Sequence, residues 1–122
     1  MINLLIVDDH PVMRELLRQV LETHRDVSIV AEAVSGEDAV RQAARLRPTV
    51  AIVDIHLPAM SGLEATKLIR QNESLKNVPI IAVTAHHEDD FRNDAKASGF
   101  DAYVTKPIDV NWLKELIAGL LI

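Results

Sequence analysis

A carboxylate at the end of a wholly apolar run is the first residue in this chain that suggests chemistry. The run is Val50–Val53, which is rich in β-branched residues and is typical of a strand buried on both faces of a parallel sheet. It leads directly into Asp54. Such a carboxylate is costly to desolvate unless cations or hydrogen-bond donors surround it. We therefore expect the fold to bring such groups to Asp54.

Other polar residues follow apolar runs in the same way. Asp8 and Asp9 follow Asn3–Val7, Thr84 ends Val78–Thr84, and Lys106 follows Ala102–Thr105. Clustered carboxylates repel one another unless they share a divalent cation, and a site offering only oxygen ligands favours Mg²⁺ over zinc. With Lys106 beside the metal, the site would suit a transferring phosphoryl group. Asp54 would be the nucleophile and Thr84 a hydrogen-bond donor.

Strands and helices alternate along the chain without a linker or a low-complexity segment. Signals for helices are Pro11 in a first turn, caps at Ser35, Ser61 and Asp109, and a polar stretch over 88–98 that Gly99 ends. We assign the third helix to Leu63–Gln71, with Lys67 and Arg70 on its solvated side, and expect Trp112 to anchor the last helix on the sheet.

Five strand–helix units predict an α/β fold with a doubly wound parallel sheet. The short chain favours the flavodoxin-like strand order 2-1-3-4-5 with five helices. In that order the first and third strands are neighbours, so Asp8 and Asp9 lie beside Asp54. Strands four and five bring Thr84 and Lys106 to the same edge. A simpler interpretation of Asp8 and Asp9 alone is that they cap the first helix.

Length and composition limit the possible functions. The 122 residues, 48% of them hydrophobic, predict one domain over 1–122. The absence of cysteine excludes disulfides and thiolate metal sites. A net charge of −5 argues against direct nucleic acid binding. No apolar run has the length of a membrane span, and the first residues predict a strand and no signal peptide, so we expect a cytoplasmic location.

Four motifs in order then carry a family resemblance: D-D after strand one, D-I-H-L-P-A-M-S-G after strand three, V-T-A after strand four and Y-V-T-K-P after strand five. Together they resemble the receiver domain of bacterial two-component response regulators over essentially the whole chain. The resemblance implies a signalling module that catalyses only its own phosphorylation and dephosphorylation. Asp54 would accept a phosphoryl group from the phosphohistidine of a sensor histidine kinase or a phosphotransfer protein.

The same resemblance assigns further roles. It implies Mg²⁺ held by Asp9, Asp54 and the backbone carbonyl of His56, and by Asp8 through water. It also implies that Thr84 moves toward the phosphoryl group while Tyr103 rotates inward, which changes the partners of the face formed by helix four, strand five and helix five. These partners would be a second copy or an effector domain. The chain would be either a free-standing regulator or the N-terminal part of a longer one with a DNA-binding output. A cis peptide bond before Pro107 is a further expectation.

Two histidines are predicted to tune the lifetime of the acyl phosphate. His56 and His86 stand two residues after Asp54 and Thr84, where family members border the path of the hydrolytic water. Because imidazoles titrate near neutral pH, the dephosphorylation rate would depend on pH between roughly 6 and 8. The simpler interpretation places both rings in solvent.

Two alternatives stay open at this point. A small phosphatase of the haloacid dehalogenase kind would also use Asp54 as nucleophile with a threonine, a lysine and Mg²⁺. Such enzymes carry a second aspartate two residues later, where this chain has His56. The other alternative is a receiver-like interaction module that is never phosphorylated, against which the burial of so many charges argues.

Overall fold

The computed structural model describes residues 2–23, 25–84 and 97–120. A five-stranded parallel sheet lies at its centre, in the order β2-β1-β3-β4-β5. The strands are β1 (Ile2–Val7), β2 (Val27–Ala33), β3 (Val50–Asp54), β4 (Ile80–Thr84) and β5 (Ala102–Thr105). The flavodoxin-like topology predicted from the sequence is therefore confirmed.

Helices follow four of the strands in the part of the chain that the structure describes. They are α1 (Pro11–Leu21), α2 (Gly36–Leu46), α3 (Gly62–Arg70) and the C-terminal helix (Val110–Leu120), with a short 3₁₀ helix at Glu73–Leu75. The helix predicted over 88–98 lies outside the described residues except for 97 and 98, which are helical. Gly99 follows them with a φ of 104°, a left-handed conformation that glycine adopts at little cost.

The residues predicted to begin or cap helices do so in the structure. Pro11 occupies the first turn of α1. The hydroxyl of Ser35 accepts a hydrogen bond from Asp38 N at 3.1 Å, and that of Ser61 accepts one from Glu64 N at 3.2 Å. The Asp109 carboxylate accepts one from Trp112 N at 3.1 Å. Each cap satisfies a backbone N–H that has no partner within its helix.

The core is divided by the sheet into two layers, because successive strand residues point to opposite faces. On one face α2 and α3 pack through Ala39, Ala43 and Ile69. On the other face α1 and the C-terminal helix pack through Leu17, Leu21, Leu113 and Ile117. The central strands β3 and β4 are buried along their whole length, as their apolar sequences predict.

Three expectations at the level of single elements are wrong. β4 begins at Ile80 and not at Val78, and Pro79, which has no N–H to donate, precedes the strand while its carbonyl accepts from Ala51 N. α3 begins and ends one residue earlier than predicted. Trp112 is 49% exposed, and Leu113 anchors the C-terminal helix in its place.

Arg70 also differs from its prediction, since it does not lie in solvent. Its guanidinium donates to the carbonyls of Leu75 at 2.9 Å, Val78 at 2.6 Å and Gly99 at 2.8 Å, and to the carboxylate of Asp101 at 2.9 Å. The rigid fork of donors suits several acceptors in one plane. Arg70 thus ties the end of α3 to the segments that lead into β4 and β5. Lys67 is exposed, as expected.

Among the described residues, no helix has both the length and the apolar character needed to cross a membrane.

Candidate functional site

Asp54 is the last residue of β3 and only 2% of its surface is exposed. Its Oδ1 accepts a hydrogen bond from the backbone N–H of His56 at 3.0 Å. Its Oδ2 accepts one from Nζ of Lys106 at 3.3 Å. The buried carboxylate therefore has one cation and one donor beside it, which offset part of the cost of its desolvation.

Asp8 lies beside it because β1 pairs with β3, with Val7 opposite Val53. The Asp8 side chain is also buried, and its Oδ2 lies 3.6 Å from Nζ of Lys106. Its Oδ1 accepts from the backbone N–H of His10 at 2.8 Å. The N-cap of α1 is His10, with no side-chain cap bond, so the capping interpretation of Asp8 and Asp9 is wrong.

The electrostatic state of Asp54 reflects opposing influences. Burial raises the pKa of its carboxyl group, and the negative charge of Asp8 adds to this rise. The hydrogen bond from His56 N and the charge of Lys106 lower the pKa, but the net direction is upward. In the absence of a further cation, the site therefore disfavours the ionised form of Asp54.

Asp9 and His10 complete an oxygen-rich cluster with a nitrogen at its mouth. Asp8, Asp9, His10 and Asp54 each offer one ligand atom, and these atoms lie within 4.8 Å of one another. Oδ1 of Asp9 is buried, and no group in the described part of the chain donates a hydrogen bond to it. A buried acceptor of this kind fits a bound cation, and the carboxylate set fits Mg²⁺.

Sequence reasoning missed three residues that support this cluster. His10 directly follows the two aspartates, and that adjacency was the available signal. Arg14 donates from Nη1 to the backbone carbonyl of Asp8 at 2.8 Å, and its Nε lies 3.5 Å from the carboxylate of Glu32 on β2. Glu32 also pairs with Arg18. No sequence pattern links Arg14 to Glu32, because only the pairing of β1 with β2 brings them together.

Thr84 and Lys106 lie at the ends of the neighbouring strands β4 and β5. Thr84 is buried, and its carbonyl accepts from the backbone N–H of Lys106 at 2.7 Å. The peptide bond between Lys106 and Pro107 is cis, as expected. Tyr103 on β5 is partly buried and packs against the core layer that contains α2 and α3. The structure thus brings Asp8, Asp54, Thr84 and Lys106 to one edge of the sheet.

The loop after β3 is fixed by a close approach of backbone to backbone. Gly62 N donates to the carbonyl of Ile55 at 2.8 Å. A Cβ at position 62 would overlap the carbonyl oxygen of Asp54 and lie 2.8 Å from Cα of Ile55. The glycine of the M-S-G motif therefore allows α3 to start directly behind Asp54. His56 in this loop is exposed, whereas His86 lies outside the described residues.

A family model for the response regulator receiver domain matches residues 4–118. The chain belongs to this family. Receiver domains are signalling modules of two-component systems. The transcriptional regulatory protein YdfI of Bacillus subtilis is 40% identical over 104 residues, covering 85% of this chain and 47% of YdfI. This receiver spans about half the length of the curated relatives it matches.

Solved receiver structures agree with this fold over its whole length. A DNA-binding response regulator of the LuxR family from Staphylococcus aureus superposes with a TM-score of 0.90 and 30% identity, covering all of both chains. The receiver domain of a sensor histidine kinase from Pseudomonas aeruginosa gives a TM-score of 0.88 with 29% identity, covering 98% of this chain and 97% of the other. That receiver holds a magnesium ion coordinated in its active site cleft.

Proposed function

We propose that this receiver is a phosphorylation-dependent switch whose acceptor is Asp54. The observation that carries the proposal is the buried carboxylate of Asp54, which ends β3 with Nζ of Lys106 at 3.3 Å and Asp8 beside it. An oxygen of Asp54 attacks the phosphorus of a phosphohistidine in a sensor histidine kinase or phosphotransfer protein. The P–N bond breaks, the imidazole leaves and an acyl phosphate forms.

The metal in this proposal is Mg²⁺. Asp9, Asp54 and the backbone carbonyl of His56 would hold it directly, and Asp8 would hold it through water. The buried Oδ1 of Asp9 and the magnesium ion in the related Pseudomonas aeruginosa receiver support this assignment. When bound, Mg²⁺ neutralises charge on the phosphoryl oxygens.

The response to phosphorylation would begin at Thr84 and Lys106, which lie at the ends of β4 and β5 on one side of Asp54. Lys106 pairs with a phosphoryl oxygen, Thr84 donates a hydrogen bond to another, and Tyr103 rotates inward. These changes alter the face that includes β5 and the C-terminal helix, to which a second copy or an effector domain binds.

We propose that residues 1–122 form one receiver domain of a longer cytoplasmic response regulator with a DNA-binding output. The support is the length of the curated relatives and the DNA-binding description of the Staphylococcus aureus neighbour. The acidic receiver itself, with a net charge of −5, does not contact nucleic acid.

Incubation with acetyl phosphate tests the acceptor. We expect acid-labile phosphate on the chain only when Mg²⁺ is present, and none in Asp54→Asn. Asp26→Asn, an exposed aspartate on the loop before β2, serves as the matched control and should label like the natural chain. Label retained in Asp54→Asn would place the acceptor elsewhere. The phosphatase alternative is not favoured by the comparisons, and it predicts steady turnover of p-nitrophenyl phosphate.

The variant Lys106→Ala separates phosphorylation of Asp54 from the change in partner binding that follows it. We expect the variant to fold and still accept phosphate on Asp54, because the Asp54 nucleophile is intact, but to lose most of the phosphorylation-dependent change in partner binding. Lys67→Ala on the exposed side of α3 is the control. Analytical ultracentrifugation or a binding assay with and without acetyl phosphate measures the change. A change in partner binding as large in Lys106→Ala as in the natural chain would show that Lys106 has no role in the response.

A further inference from the structure

We propose that His10 is an additional metal ligand, through which the acidic cluster binds a divalent cation of the zinc class in competition with Mg²⁺. The inference rests on the proposed metal site and concerns which ions that site accepts. It differs from the expectation of a site with oxygen ligands alone, because the fold places an imidazole nitrogen among the carboxylates.

The position of Nδ1 of His10 fits a shared cation. It lies 3.1 Å from Oδ1 of Asp8 and 3.1 Å from Oδ1 of Asp9. Ligand atoms bound to zinc at about 2.0–2.2 Å in tetrahedral or octahedral geometry are themselves roughly 2.9–3.5 Å apart. Both distances from Nδ1 of His10 therefore match the spacing of neighbouring ligands around one ion.

The charges of the site direct a cation to this side of the cluster. Nζ of Lys106 lies 3.6 Å from Oδ2 of Asp8 and 3.3 Å from Oδ2 of Asp54, and it repels a metal from that side. The opposite oxygen of Asp8 faces His10. Oδ1 of Asp9, which accepts no hydrogen bond from the described residues, lies on the His10 side as well.

Access and ligand chemistry agree with this placement. The His10 side chain is 63% exposed, whereas that of Asp8 is 3% exposed, so the ring lies at the mouth and the carboxylate at the floor. Imidazole is a good ligand for zinc, cobalt and nickel ions and a poor one for Mg²⁺. On binding, the proton of Nδ1 moves to Nε2, and the metal bond replaces the hydrogen bond between Nδ1 and Asp8.

Calorimetric titration of the unphosphorylated chain with zinc chloride, and separately with magnesium chloride, tests the inference at one fixed pH. We expect His10→Ala and His10→Gln to lower the affinity for the first equivalent of zinc by at least about tenfold. The affinity for magnesium should change by less than about twofold. His10→Cys, which supplies another zinc ligand to a chain without cysteine, should restore zinc binding under reducing conditions.

A competition experiment gives a second readout. In the natural chain, zinc should inhibit labelling by acetyl phosphate at saturating Mg²⁺, and His10→Ala should resist this inhibition. Equal zinc affinity in the natural chain and His10→Ala would overturn the role of His10 while leaving the magnesium site and the proposed function intact. If Mg²⁺ bound neither the natural chain nor the His10 variants, the proposed metal site itself would be overturned.

Discussion

Asp54 holds a negative charge in a place where the fold opposes it. Two groups of the described residues favour ionisation of its carboxylate, His56 N at 3.0 Å and Nζ of Lys106 at 3.3 Å. Burial and the charge of Asp8 act against these partners and raise the pKa of Asp54. The residue that we propose as the phosphoryl acceptor therefore lowers the stability of the fold when no additional cation is bound.

Replacing this charge should stabilise the metal-free protein near neutral pH. The folded pKa of Asp54 lies above its unfolded value, so the folded chain binds more protons and loses stability as pH rises through that interval. Asp54→Asn removes this loss, and we expect it to raise the free energy of unfolding by about 1 kcal/mol at pH 7.5 and by less at pH 5. Urea denaturation in the presence of a chelator measures both values.

Addition of magnesium is the control for the comparison of stability between Asp54→Asn and the natural chain. Because a bound cation stabilises the ionised folded form, adding Mg²⁺ should narrow or reverse the advantage of Asp54→Asn. If the variant were less stable than the natural chain at pH 7.5 without metal, the pairing with Lys106 would outweigh burial, and the stated direction of the pKa would be wrong.

Two glycines differ in what surrounds them, and their substitutions should have opposite effects. Gly62→Ala places a methyl group against the backbone of Asp54 and Ile55, and we expect a loss of about 1–3 kcal/mol in the free energy of unfolding. Gly119 in the C-terminal helix has nothing within 4 Å of an added Cβ, so Gly119→Ala should stabilise by up to about 1 kcal/mol. Thermal unfolding of the two variants distinguishes them, and equal effects would contradict the close approach at Gly62.

At the level of elements, α3 connects to the sheet through Arg70 as much as through its apolar face. The guanidinium joins the carbonyls of Leu75 and Val78 before β4 to Gly99 before β5. Asp101 accepts from both Arg70 and Ile80 N, so its carboxylate closes the same network. The edge of the sheet opposite Asp54 is therefore held by charge-assisted hydrogen bonds.

Arg70→Met keeps a long apolar side chain but removes every hydrogen bond that the guanidinium donates. We expect a loss of about 2–4 kcal/mol in the free energy of unfolding, because the carbonyls of Leu75, Val78 and Gly99 lose the Arg70 donor and Asp101 keeps only the bond from Ile80 N. Lys67→Met, on the exposed side of the same helix, should change stability by less than about 0.5 kcal/mol. Urea titrations of both variants test this, and matching curves would show that water replaces the Arg70 bonds without cost.

For the molecule as a whole, the sequence predicted the strands, their order and the grouping of the site residues, because these depend on local pattern and topology. The apolar runs that lead to the candidate site residues predicted three of their four strands to within one residue, and the short chain with five strand–helix units favoured the observed strand order. That order alone placed Asp8, Asp54, Thr84 and Lys106 at one edge. The fourth strand was predicted too long because Pro79 continues its apolar run while lacking the N–H that a strand residue donates.

The remaining misses concern side-chain partners that are far apart in sequence. The acceptors of Arg70 include residues up to 31 positions away, and Arg14 on α1 meets Glu32 on β2, a different element. The pattern of α3 showed that Arg70 lies off the apolar face, but a side chain of that length reaches backbone that the helix itself does not contact. Trp112 was assigned to the core by its hydrophobicity, although Leu113 next to it fills that place.

The hydrogen bond from Lys106 N to Thr84 O joins two site residues through backbone. Val104, two residues before Lys106, packs in the same core layer as Leu113 and Ile117 of the C-terminal helix. Packing and hydrogen bonding therefore connect that helix to the site around Asp54. Thermodynamic linkage makes any coupling between two binding sites reciprocal. In the proposed switch, a partner whose affinity for the helix changes with occupancy of the Asp54 site would change the affinity of that site by the same factor, so the output would also act as an input.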